Sequence, residues 1–379
     1  MLRRLLVVLI IVCLISFPMS MLLPLSAEAQ ADSSGDYISL GDSIAYGFNA
    51  PSGQGYSDLF SAYLKGRPEL AGLQFANLAH PGDESNDLLA KLQNSAAAQK
   101  DLSQARVVTI SIGGNNLLGP VIRALAEVYH LDPSDPQLYS ELGQALKADK
   151  ALASTLFQLA LSGNIETELD TGVATFRTDW PQILQSVQSL APGSQIYVLN
   201  VYNPFAQDNP FFSLVDPYIQ QINKIIETGQ GYSYADIYTC FLQESAQKPL
   251  NYDLLQGNFD PHPTLQGHQL IFQRLSALFE LANATSWGNK LKVPSDKKWI
   301  IKFNASLAQT APDFVQVFTP GGISISTLVT PGDQPSSLAV TPPSGGYPPG
   351  SYSLLIRNGL PAQNGTRLDE GVRMNFTVE

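Results

Sequence analysis

Between Tyr37 and Asn283, short and nearly continuous apolar runs alternate with amphipathic stretches, and no other feature of the sequence narrows the fold so far. Uninterrupted apolar runs suit strands buried on both faces. Their alternation with helical stripes predicts a parallel sheet covered by helices on both sides, a three-layer α/β/α domain. The expected strands are 37–40, 74–78, 107–112 and 195–199, with a shorter one near 234–237. Tyr56, Leu59, Phe60, Tyr63 and Leu64 share one face of an expected helix, and Ile271, Leu275, Leu278 and Phe279 repeat that spacing near the end of the stretch. Both stripes read as core. Two further helical tracts, 120–130 and 136–161, exceed what the sheet needs and could roof a cleft.

After Pro294 the pattern changes to short alternating runs separated by Gly, Pro and Asn, which marks a domain boundary. Trp299, Ile301 and Phe303 alternate with Ile300 and Lys302, Val315 and Val317 flank Gln316, and Leu354 and Ile356 recur near the end. These read as half-buried strands of a small β-sandwich. At the other end, Arg3 and Arg4 precede an apolar run from Leu5 to Leu25, and Ser26-Ala-Glu-Ala29 offers the small-x-small site that signal peptidase cuts. The expected layout is therefore a removable export signal over 1–29, an α/β domain over 35–284, a linker over 285–296 and a β-sandwich over 297–379. Pro18 and Pro24 interrupt the alternative, a retained membrane anchor. The expected product is secreted, with no membrane span once the signal is removed.

Without residues 1–29 the chain carries 20 basic residues against 32 acidic ones, a net charge of −12. That field repels nucleic acid, and no basic run interleaved with aromatics offsets it. Cys240 is then the one thiol left, so an intramolecular disulfide is excluded and a buried, inert cysteine is expected. There is no His-Glu-x-x-His, cysteine pair or carboxylate cluster, so neither metal nor other cofactor is expected.

Four polar or glycine-rich turns are positioned for chemistry. Gly41-Asp-Ser43-Ile-Ala-Tyr-Gly47 follows the first strand, at the carboxyl edge where open α/β sheets place ligands. Asn77-Leu-Ala-His80-Pro-Gly82-Asp83 ends the next, with Gly82 allowing close backbone approach and Asp83 placed to cap the following helix. Ser111-Ile-Gly-Gly-Asn115-Asn116 ends the third, where a side-chain amide can donate to a developing oxyanion. Asp260-Pro-His262-Pro-Thr264 precedes the last helix, with Thr264 as its expected N-cap. Each alone is an ordinary turn. Together they bring to one sheet edge a hydroxyl nucleophile, a base, an acid and oxyanion donors, the set that acyl transfer requires.

These four stretches, in this order, resemble the SGNH or GDSL hydrolases, with a resemblance covering about residues 37–283. The resemblance implies a flavodoxin-like α/β/α fold and hydrolysis of acyl esters of small molecules or lipids. It implies Ser43 as nucleophile, His262 as base, and an oxyanion hole of the Ser43 N–H, the Gly82 N–H and the Asn115 side chain. Two positions depart from the family pattern. Asp260 is separated from His262 by Pro261 alone, whereas the expected acid position holds Phe259, so either Asp260 or a backbone carbonyl orients the ring. Asn116 stands where the family commonly has Asp, which should alter local hydrogen bonding more than chemistry. His268 is a rival base that is expected to pack in the helix, and His80 could line the cleft. The tail resembles bacterial Ig-like domains of surface and wall-associated proteins, which implies a possible cell-wall partner. Within the enzyme class the alternative is deacetylation of a polysaccharide. Outside it, the alternative is a non-catalytic adhesion scaffold.

Overall fold

The computed structural model describes residues 37–132, 135, 141, 145, 164–204, 207, 212–253 and 258–379, with the backbone alone for 120–125, 164, 165, 213, 214, 251–253 and 258–260. The export signal read over 1–29 and nearly all of the helical tract 136–161 lie outside the described residues. The chain divides into two compact units, Met1–Tyr232 with Ile237–Phe272, and Ser233–Asp236 with Gln273–Glu379.

In the first part of the chain, β1 (Tyr37–Gly41), α1 (Ser43–Tyr46), α2 (Tyr56–Lys65), β2 (Phe75–Asn77), α3 (Ser85–Asn94), α4 (Ala96–Leu102), β3 (Val107–Ser111) and α5 (Gly114–Val128) follow in order. Then come α6 (Asn164–Leu190), β4 (Gln195–Leu199), α7 (Phe212–Glu227), β5 (Ser233–Ala235), α8 (Ile237–Gln243), β6 (Leu250–Asp253), β7 (Asn258–Pro263) and α9 (Leu265–Asn283). The sheet runs β2-β1-β3-β4-β5, with β1 parallel to β2 and β3, and β3 parallel to β4. This is the expected parallel α/β sheet. All five residues of β1 and all five of β3 are buried, which is why their sequences read as nearly continuous apolar runs, broken only by small hydroxyl residues that are hydrogen-bonded within the protein. Tyr56, Phe60 and Leu64 bury the inner face of α2. The register sets Gly41 opposite Ser111, so β1 and β3 deliver their terminal turns side by side.

A file of hydroxyl groups crosses this core. The Tyr37 hydroxyl lies 3.0 Å from Thr109 Oγ1, which donates to Ser39 Oγ at 3.3 Å, and Ser39 Oγ lies 3.1 Å from Ser57 Oγ. Ser57 Oγ donates in turn to Ala45 O at 2.7 Å, which joins the sheet and α2 to α1. Burial pushes the Tyr37 hydroxyl well above its usual range, so it stays neutral.

The second unit contains β8 (Thr285–Val293), β9 (Trp299–Lys302), β10 (Val315–Phe318), β11 (Ser324–Ile325), β12 (Leu328–Pro331), β13 (Ser337–Thr341), β14 (Gly350–Ile356) and β15 (Val372–Val378). They form a five-stranded sheet, β11-β10-β14-β15-β8, and a three-stranded one, β12-β13-β9. Ile301, Val317, Leu338, Leu354, Met374 and Phe376, drawn from both sheets, share one apolar core. The stretch expected as a linker is strand as far as Val293, paired in parallel with β15. Its residues are mostly exposed, so the alternation that reveals a half-buried strand is missing.

Candidate active site

The turn after β1 is shaped by its glycines. Gly41 has φ +127°, and a Cβ placed there would lie 1.8 Å from Ser111 O. That closeness lets Asp42 N–H donate to Ser111 O at 3.0 Å, locking the turn to the end of β3. The Asp42 carboxylate accepts from Ile44 N–H at 3.0 Å as the cap of α1 and from the Ser111 hydroxyl at 3.3 Å. Gly47, at φ +94°, closes α1 after one turn. Ser57 Oγ and Asn77 Nδ2 both donate to Ala45 O, at 2.7 and 2.9 Å, so α1 is held from two further elements. Ser43 is thereby fixed at the sheet edge and is 8% exposed.

The base arrives from a β6–β7 hairpin arm. Thr264 caps α9 as expected, its hydroxyl accepting from Gly267 N–H at 3.1 Å. The Tyr202 hydroxyl donates to Pro261 O at 2.7 Å, and the His262 ring packs on Phe48 with centroids 4.3 Å apart. His262 Nε2 then lies 2.9 Å from Ser43 Oγ, within range for direct proton transfer. The backbone of Asp260 lies in β7, but its side chain lies outside the described residues. Burial pushes the Asp42 carboxyl up to about 6, while Ile44 N–H, the Ser111 hydroxyl and the charge of His262 pull it down.

Of the expected oxyanion donors, Gly82 takes φ +92° in its turn, and Asn115 lines the same cleft as Ser43 and His262. Asn115 Nδ2 donates to Asp83 O at 3.0 Å. Asp83 was expected to cap α3, but the N-cap is Glu84, whose N–H is received by Asp87 at 2.9 Å. Asp83 instead binds Lys91 Nζ and His80 Nδ1, at 2.9 and 3.0 Å. Asn116 is fully buried and holds the start of α3, accepting from Ser85 N–H at 3.0 Å and donating to Ser85 Oγ at 2.7 Å. Ser85 Oγ passes this network to Asp179 at 2.7 Å. Asn116, at the position that departs from the family pattern, thus works behind the site as both acceptor and donor to Ser85. Tyr202, Lys91 and Asp179 carry no motif that marks them in the sequence.

His268 is no base. It is fully buried, and its Nδ1 accepts from Tyr56 N–H at 3.3 Å while its Nε2–H donates to Phe48 O at 2.9 Å. That pairing requires the neutral ring, and burial lowers its pKa below the ordinary 6.5. The unfolded chain therefore takes up this proton first. The stability contributed by the neutral ring is complete above about pH 6.5 and is lost as pH falls through the lowered folded value, about 1.4 kcal/mol for each unit of separation. Asp42 acts in the opposite sense. Its folded pKa of about 6 exceeds the ordinary 3.8, so falling pH favours the fold across that window. We expect the melting temperature to drop more steeply from pH 7.5 to 5 in the native chain than in His268→Gln, which keeps a donor and an acceptor without titrating. Parallel curves would rule this out.

The cleft at Ser43 encloses about 1140 Å³ of empty space, open mouth included. Away from the reacting pair its wall is built from residues such as Ile112, Leu118, Leu169, Leu199 and Ile219. The polar side chains in the wall are engaged within the protein. Ser111 binds Asp42, Tyr202 binds Pro261 O, and Asn200 binds Glu227 and the N–H groups of Ile237 and Tyr238.

In sequence, the chain is 22% identical over 240 residues to the uncharacterized protein YpmR of Bacillus subtilis, a match covering 62% of this chain and 78% of that protein. Among solved structures, a lipase from goat rumen metagenome matches with a TM-score of 0.41 at 20% identity, covering 64% of this chain and 95% of the lipase. Phospholipase A1 from Streptomyces albidoflavus matches at 0.39 and 18%, covering 62% and 95%. The acetylxylan esterase Axe2 from Geobacillus stearothermophilus matches at 0.38 and 18%, covering 64% and 92%. The family model for GDSL-like lipases and acylhydrolases matches residues 39–270, a span that holds both Ser43 and His262, and the chain therefore belongs to that family of serine ester hydrolases.

Proposed function

We propose that Ser43 and His262 carry out a two-step hydrolysis of carboxyl esters whose acyl part enters the apolar cleft. The observation that carries this reading is the 2.9 Å approach of His262 Nε2 to Ser43 Oγ at that cleft. Ser43 Oγ bonds to the ester carbonyl carbon as its proton passes to Nε2. The oxyanion is received by the Ser43 N–H, the Gly82 N–H and the Asn115 amide. Collapse breaks the bond to the alcohol, which takes the proton from His262, and water then releases the acid by the same steps in reverse order. Asp260 is the acid assigned to orient His262. In this reading the enzyme is exported and works outside the cell, and its β-sheet unit holds it at the cell wall.

The wall of the cleft favours a hydrocarbon chain over an acetyl group, because it is mostly apolar and the donors of Ser111 and Tyr202 and the carbonyl of Asn200 are already engaged within the protein, which leaves little to reward sugar hydroxyls. Turnover of p-nitrophenyl acetate, butyrate and octanoate tests both claims. We expect kcat/KM to rise with chain length, by up to about fourfold per buried methylene. A fluorophosphonate should label Ser43. An acetate preference would assign the site to deacetylation, and an unlabelled, inactive protein would favour the scaffold reading.

A further inference from the structure

The turn 78–83 carries one of the oxyanion donors, the Gly82 N–H, and holds the other. Asn115 donates one of its two amide hydrogens to Asp83 O at 3.0 Å, which sets the amide plane and hence the direction of the second. The position of the turn therefore governs both groups at once.

On one side the turn is tied to the nucleophile strand, with Leu78 N–H donating to Ser39 O and His80 N–H to Gly41 O, each at 2.8 Å. On the other side it is tied by one lysine. Lys91 Nζ, from the second turn of α3, donates to Leu78 O at 2.9 Å and to Asp83 Oδ2 at 2.9 Å. These atoms stand at the start and the end of the turn, so a single ammonium closes it. The Asp83 side chain is 10% exposed, and a carboxylate so covered needs a charge partner. His80, the other group on Asp83, has a side chain 72% exposed, so water competes for it, whereas that of Lys91 is 25% exposed.

We propose that Lys91 is a positioning residue for the oxyanion hole: by clamping Leu78 O and Asp83 together it aims the Gly82 N–H and the Asn115 amide at the developing oxyanion. The inference rests on the reading of Gly82 and Asn115 as donors. Such donors act over a few tenths of an ångström, so a turn that relaxes loses transition-state stabilisation while the apolar cleft still binds substrate.

The test compares wild type, Lys91→Met, Lys91→Arg and Asn115→Ala in turnover of p-nitrophenyl butyrate, inhibition by phenylboronic acid and melting temperature. The boronic acid bonds to Ser43 Oγ and becomes tetrahedral, so its affinity reports the oxyanion hole. In Lys91→Met we expect kcat to fall about ten- to hundredfold with KM within about threefold, and boronic acid affinity to fall in step. Lys91→Arg, which restores the charge and its donors, should recover most of both. Full kcat in Lys91→Met beside a large loss in Asn115→Ala would overturn the clamp, as would a kcat loss that spares the boronic acid and is not recovered by arginine. Unchanged kcat in Asn115→Ala would instead remove the donor reading, and the clamp would fall with it.

Discussion

Ser43→Ala and His262→Ala should each lower kcat for p-nitrophenyl butyrate by about ten-thousand-fold or more, and the double variant should be no worse than either alone. The reason lies in the 2.9 Å contact between Ser43 Oγ and His262 Nε2. A serine hydroxyl is a weak nucleophile until a base takes its proton, and the imidazole has nothing to receive once the hydroxyl is gone. The two side chains thus act as one group, and removing half removes the whole. Residual turnover comes from the oxyanion donors and the cleft, which both variants leave intact. Asp260→Asn belongs in the same series. If its carboxylate orients His262, the loss should reach at least about a thousandfold, whereas a backbone carbonyl in that role would leave kcat within a few-fold. Steady-state kinetics on folded protein decides each point. Losses that multiply in the double variant would show that Ser43 and His262 contribute separately, and the proposed relay would be wrong.

The parts of this site that were legible beforehand are those whose signals are local. Strands buried on both faces, such as β1 and β3, write themselves as nearly continuous apolar runs. Turns that need a positive φ call for glycine, so Gly41, Gly47 and Gly82 stand out. A histidine in the first turn of a helix, like His268, is expected to pack, and it does. What stayed hidden is long-range or exposed. Tyr202 reaches Pro261 and Asp179 reaches Ser85 across many residues of sequence, and no spacing rule connects them. Asp83 had the right type and place for a cap, but a lysine eight residues on competes for its carboxylate. An edge strand such as β8, with Trp287 and Leu291 exposed at 53% and 73%, has no buried face to impose a period.

Among the described glycines, Gly41→Ala should be the most damaging substitution that leaves every functional side chain in place. Two costs coincide there. The φ of +127° lies where L-residues are strained, and the new methyl carbon would meet Ser111 O at 1.8 Å, far inside van der Waals contact. The obstacle is the backbone of β3, the neighbouring strand, so no side chain can swing aside. β1 and β3 must part, and the bond from Asp42 N–H to Ser111 O goes with them. We expect a loss of about 4 kcal/mol or more, a fall in melting temperature on the order of 10 °C, or failure to fold. Gly82→Ala separates the two costs, because φ there is +92° but a Cβ would meet nothing within 4 Å. Strain alone should cost about 1–2 kcal/mol. Thermal melts of the two variants side by side read the difference directly. Equal melting temperatures would mean that the turn after β1 can relax around an added methyl, and that the close approach of Gly41 to Ser111 is not what holds the nucleophile at the sheet edge.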